Sequence, residues 1–136
     1  MPAIEWNDSY SVGDAKMDLQ HRQLFAAIND LYDHMASAMP DHNRTLECVK
    51  FLTEYTLTHF ADEEALMRSI NFPGLQAHIE VHKNLVTQLT GYTKRLVSKK
   101  EDSFVDDDMV MFLLSDWLIR HVVEEDQEYA KALRKT

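Results

Sequence analysis

Five histidines and two carboxylates, His21, His59, Glu63, His78, His82, His121 and Asp126, stand at positions where the hydrophobic pattern asks for core residues. Two of the pairs, His59/Glu63 and His78/His82, are four residues apart, so each pair projects from one face of a helix. Buried together without a cation, this many imidazoles and carboxylates would carry a large desolvation cost. A metal centre removes the conflict. Seven such groups are too many for one tetrahedral zinc but suit two adjacent ions bridged by carboxylates. The lack of thiolates disfavours iron–sulfur clusters and copper(I); mixed imidazole and carboxylate ligation favours iron or manganese and leaves zinc open.

Such a set needs elements that bring distant residues to one place. Only three Gly and three Pro among 136 residues, with 45% hydrophobic residues, leave little turn chemistry for a many-stranded sheet and point to long helices. Periodicity predicts helices over about 18–38, 43–69, 75–98 and 104–134, in one domain spanning 1–136. The inner stripes carry Leu24, Ile28 and Leu31; then Leu52, His59 and Glu63; then His78, His82 and Leu89; then Trp117, His121 and Tyr129. Pro40 and Asp41 break the chain, as do Asn71, Pro73 and Gly74, and Ser103 to Asp106 reads as a capping box. The expected fold is all-α: an antiparallel up-and-down four-helix bundle, preceded by an irregular N-terminal arm containing Trp6 and Gly13.

In an antiparallel bundle, residues equally far from a turn lie at similar height. His21 lies 19 residues before Pro40 and His59 lies 19 after it. Counting from Asn71, Glu63 is 8 back while His78 and His82 are 7 and 11 forward; from Glu101, His82 is 19 back and His121 is 20 forward. All four helices therefore deliver ligands to one level. His121 and Asp126, five apart, diverge more widely on an α-helix, so Asp126 is expected to reach the centre obliquely from the flank of its stripe.

The formal charge of −9 would repel phosphate backbones and anionic lipid heads, so neither nucleic acid nor a membrane surface is an expected partner. The longest apolar run, Met109 to Leu114, is far short of the roughly 20 residues that span a bilayer. Met1 to Tyr10 has neither a basic start nor an apolar stretch, which argues against a signal peptide and makes the cytoplasm the expected location. Cys48 stands alone and reads as a small buried apolar residue rather than a reactive thiol. His34 and His42 read as ordinary hydrogen-bonded histidines, and the acidic groups at 106–108 and 124–126 as a charged helix start and a solvated face, Asp126 excepted.

Four segments carry a family likeness: Asp18-Leu19-Gln20-His21, His59-Phe60-Ala61-Asp62-Glu63-Glu64, His78-Ile79-Glu80-Val81-His82, and Trp117-Leu118-Ile119-Arg120-His121 through Asp126. In these the chain resembles the hemerythrins, and among them the single-domain bacterial members. The resemblance implies two iron ions with a bridging oxide or hydroxide: His78, His82 and His121 on one iron, His21 and His59 on the other, and Glu63 and Asp126 bridging. The first iron would then have six ligands and the second five, leaving an open position for O₂. Leu24, Phe60 and Ile119 would line the O₂ pocket, with Trp117 and Tyr129 as packing or supporting groups.

The resulting expectation is a monomeric, non-enzymatic protein for O₂ transport or storage, or for delivery to an O₂-consuming enzyme. The alternatives are a di-iron oxidase, peroxidase or ferroxidase, an O₂ or redox sensor, and an iron-storage protein. The Glu-x-x-His pairs of ferritin-like oxidases do not occur in the sequence.

Overall fold

In a computed structural model of the chain, the described residues are 4–35, 37, 41–98 and 112–135, excepting the side chains of 112–116, 118 and 119. A 3-10 turn, Asp8–Tyr10, is followed by α1 (Ala15–Met35), α2 (His42–Ser69) and α3 (Leu75–Ser98). The fourth rod is a π-helical segment, Phe112–Glu125, that continues as α4, Asp126–Arg134. No strand occurs among the described residues. The expected all-α four-helix bundle is the observed fold. Its neighbours run antiparallel: Lys16 meets Asp62 while Gln23 meets Tyr55, and His78 approaches Tyr129 while His82 approaches His121.

Helix ends follow local chemistry. α1 starts three residues before the expected Asp18 because the Asp14 carboxylate accepts from the backbone N of Met17 at 3.0 Å. Asp18 is thereby freed to hold the arm, accepting from Ser11 Oγ at 2.5 Å and Val12 N at 2.9 Å. Asp41 caps α2 through Asn43 N at 3.0 Å. At its other end Asn71 takes a left-handed φ of 53°, and the bonds Phe72 N→Met67 O and Asn71 N→Arg68 O complete a Schellman turn. The expected capping box at Ser103–Asp106, the acidic group 106–108 and the start of the fourth helix lie outside the described residues.

Two apolar clusters share the interior. The larger, with Leu24, Ile28, Leu52, Leu89, Trp117 and Val122 each at most 2% exposed, fills one part of the bundle. The smaller packs Val12, Met17, Met67, Tyr129 and Ala130. Five of the seven polar residues fall between members of the two clusters or residues packed against them: His21 between Met17 and Leu24, Glu63 between Phe60 and Met67, His78 and His82 between Leu75 and Leu85, and Asp126 between Val122 and Tyr129. They thus form one polar layer sealed on both sides. The N-terminal arm closes a flank: Asn29 exchanges two hydrogen bonds with the backbone of Ile4, Trp6 meets Phe25 edge-on, and Gln127 donates to Tyr10 O at 3.2 Å.

Candidate metal centre

All seven residues singled out for chemistry meet in that layer, each at most 6% exposed. The five imidazoles converge through Nε2 on the two carboxylates. Glu63 Oε1 lies 3.5 Å from His78 Nε2, 3.0 Å from His82 Nε2 and 3.8 Å from His121 Nε2, whereas Oε2 lies 3.2 Å from His21 Nε2 and 3.5 Å from His59 Nε2. Asp126 divides in the same way, Oδ1 facing His78 and His121 at 2.9 and 3.3 Å and Oδ2 facing His21 at 3.2 Å. Each carboxylate therefore turns one oxygen to each of two histidine groups. Among the described residues, two sets have ligand atoms all within 4.8 Å of one another: Glu63, His78, His82, His121 and Asp126, and His21, His59, Glu63 and Asp126.

Hydrogen bonding satisfies only part of this close approach, such as His21 Nε2 and His82 Nε2 on Glu63. His59 Nε2, His78 Nε2 and both Asp126 oxygens are buried without a hydrogen-bond partner, and the Nε2 atoms of His82 and His121 face each other at 3.1 Å. Ligands held about 2.1 Å from an octahedral ion stand about 3 Å from their neighbours, which accounts for both the spacing and the orphaned atoms. The donor set fits hard-to-borderline divalent ions, with no sulfur.

Electrostatics ask for the same occupant. Burial opposes charge on His21, but the Asp126 and Glu63 carboxylates together outweigh it and raise its pKa to about 9. The same contest raises His78 to about 10 and, with Glu125 assisting, His121 to about 9. For His59 burial prevails over Glu63 and its pKa falls to about 4. Burial also opposes charge on Glu63 and Asp126, yet the surrounding imidazoles hold both below the ordinary carboxylate range. The layer thus draws positive charge to its centre, whether as protons or as metal.

Around the layer stand groups that sequence reasoning did not assign. His59 Nδ1 meets Gln20 Oε1 at 2.7 Å, His82 Nδ1 meets Glu64 Oε2 at 2.6 Å, and His121 Nδ1 lies 3.4 Å from Glu125 Oε1. Such partners fix the ring so that Nε2 points inward. Glu125, read from sequence as part of a solvated face, is half-buried against His121. Tyr129, read as packing or support, donates its hydroxyl to Glu63 Oε2 at 2.7 Å, and its pKa is raised by burial and by the two carboxylates.

Of the three expected pocket residues, Leu24 is fully buried and Phe60 stacks flat on His82, with ring centroids 3.8 Å apart; the side chain of Ile119 lies outside the described ones. His34 is remote from the layer and bonds to the backbone of Asp41.

Fold and site together define a four-helix protein built around a buried histidine and carboxylate cluster that serves as a non-haem metal site. The family model described as "Hemerythrin HHE cation binding domain" matches residues 12–133, and the chain belongs to the hemerythrin family. It is 31% identical over 134 residues to a bacteriohemerythrin of Pseudomonas aeruginosa, covering 98% of this chain and 84% of that one. A bacteriohemerythrin of Clostridium acetobutylicum is 25% identical over 126 residues, covering 91% and 96%. The crystal structure of a wild-type hemerythrin shares the fold with a TM-score of 0.83, at 24% identity and with 96% and 98% of the chains covered. No helix among the described residues is long and apolar enough to cross a membrane.

Proposed function

We propose that the chain holds two iron ions and binds O₂ reversibly, as a cytoplasmic carrier or store that can deliver O₂ to a consuming enzyme. His78, His82 and His121 would hold one iron and His21 and His59 the other, with Glu63 and Asp126 shared between the two. The observation that carries this reading is the division of the two carboxylates: Glu63 turns one oxygen to His78, His82 and His121 and the other to His21 and His59, and Asp126 turns one oxygen to His78 and His121 and the other to His21. When bound, the iron pair supplies two electrons and, on the side of His21 and His59, one open position for O₂. Binding without turnover requires that water and reductants stay away, and Leu24 and Phe60 supply apolar wall for that purpose, with Ile119 the expected third member. Tyr129 holds Glu63 in place through its hydrogen bond.

The test is to reduce the protein without air, confirm two irons per chain, and cycle O₂ on and off while recording the optical spectrum. Repeated reversible change supports the carrier. Irreversible oxidation on first exposure, or sustained turnover of peroxide or a reductant, assigns the site to an oxidase or peroxidase instead.

A further inference from the structure

The groups behind the imidazoles are unequal on the two sides. Of the three imidazoles on one side, His82 meets the Glu64 carboxylate through Nδ1 at 2.6 Å, and His121 Nδ1, which makes no hydrogen bond, has the Glu125 carboxylate 3.4 Å away. On the other side His59 has the neutral amide of Gln20 at 2.7 Å, and His21 Nδ1 is buried with no hydrogen-bond partner. Gln20 Nε2 in turn donates to Asp62 Oδ2 at 2.8 Å, and Lys16 Nζ stands 3.5 Å from the same oxygen. Behind Nδ1, the carboxylate of Asp62 is therefore one side chain removed from His59 and already shared with a lysine.

Donor and acceptor rules settle the orientation. A carboxylate only accepts, so the Gln20 amide must turn Nε2 to Asp62 and Oε1 to His59. His59 then carries its proton on Nδ1 and presents a bare Nε2 to the centre. An imidazole backed by a carboxylate is a more basic ligand than one backed by an amide.

We propose that Gln20 is a positioning residue that orients His59 while insulating it from the Asp62 charge, so that the His21/His59 half binds its metal more weakly and leaves it the stronger Lewis acid. The inference rests on the two-metal reading above. It makes the half with the open position the last to load and the one better able to hold a small electron-rich ligand.

The decisive variant is the double substitution Gln20→Glu with Asp62→Asn, which moves the carboxylate one position inward while keeping net charge and the donor and acceptor chain. Metal-stripped protein is titrated with Co²⁺ and followed by its visible spectrum; the Co²⁺-loaded protein is then titrated with inorganic azide. In the double variant the weaker Co²⁺ step should tighten about tenfold, with the stronger step unmoved and azide affinity reduced. Gln20→Ala, which removes the orienting amide, should loosen the weaker step by about the same factor. A purely structural role for Gln20 would leave the weaker step of the double variant no tighter than in wild type while the stronger step is unmoved, and that result overturns the proposal. An unmoved stronger step reports that each variant has kept its fold; if both steps weaken in the double variant, the Gln20→Ala titration decides. Fewer than two Co²⁺ per wild-type chain would instead remove the two-metal reading, and this inference with it.

Discussion

Removing the metal should make stability fall steeply as pH rises from neutral to about pH 9, a range over which the metal-loaded protein stays level. In the metal-stripped protein His21, His78 and His121 have pKa values raised to about 9, 10 and 9, against the ordinary 6.5. A raised value means the folded state holds a proton the unfolded chain has released. The stabilisation is complete below pH 6.5 and is lost as pH rises through 9 to 10. Two carboxylates balance two imidazolium ions, so the folded state near pH 8 should hold two to three more protons than the unfolded chain. Linkage then gives a loss on the order of 3–4 kcal/mol per pH unit, steep against a usual total of about 5–15 kcal/mol. Metal-loaded protein behaves differently: its imidazoles are neutral when ligating, so stability holds through this window and falls in acid, as the unfolded chain gains protons below pH 6.5. Urea titrations of both forms at pH 6.5, 7.5 and 8.5 measure this directly. A stripped protein whose midpoint stays level or rises over that range would refute the charge assignment of the layer.

Other substitutions test the layer piece by piece. Tyr129→Phe removes the 2.7 Å donor to Glu63 and should cost about 1–3 kcal/mol in urea while metal content is kept, since no ligand atom is lost. Glu63→Ala and His82→Ala should each lower metal content and thermal stability together, and two metals retained per chain in both variants would defeat the ligand assignment. Asn71→Ala places a Cβ-limited residue at φ 53° and should destabilise by about 1 kcal/mol, whereas Asn71→Gly should be close to neutral in the same melt.

How much of this was legible from residues alone depends on what each feature rests on. Height was legible, because helical rise is nearly constant and the turns at Pro40 and Asn71 are marked by residue type; the polar layer lies where counting from those turns puts it. The seven polar residues were legible because they interrupt apolar stripes. Their supports were not. Gln20, Glu64 and Glu125 sit at the edges of those stripes, where polar residues raise no conflict, and only the short approaches to Nδ1 give them away. Each is a sequence neighbour of a ligand or flanks one, so a check of residues beside a proposed ligand could have found them.

The fourth helix solves a problem that the α-helical pattern leaves unsolved. On an α-helix a five-residue separation turns about 140°, which would set His121 and Asp126 on different faces. The other paired ligands avoid this by standing four apart, as His59/Glu63 and His78/His82 do. From Phe112 to Glu125 the chain is wound as a π-helix, whose hydrogen bonds join residues five apart, so the residue five on lies nearly one turn above its partner. His121 Nε2 and Asp126 Oδ1 consequently stand 3.3 Å apart. Ordinary α winding resumes at Asp126 itself, and carries Tyr129 to the Glu63 carboxylate. Long π winding is rare and less favourable than α winding, so its presence here needs an offsetting interaction. A buried carboxylate with both oxygens directed at imidazoles supplies one once a cation joins them. The oblique reach expected of Asp126 is therefore replaced by a direct one, obtained by changing the winding of the helix rather than by stretching the side chain.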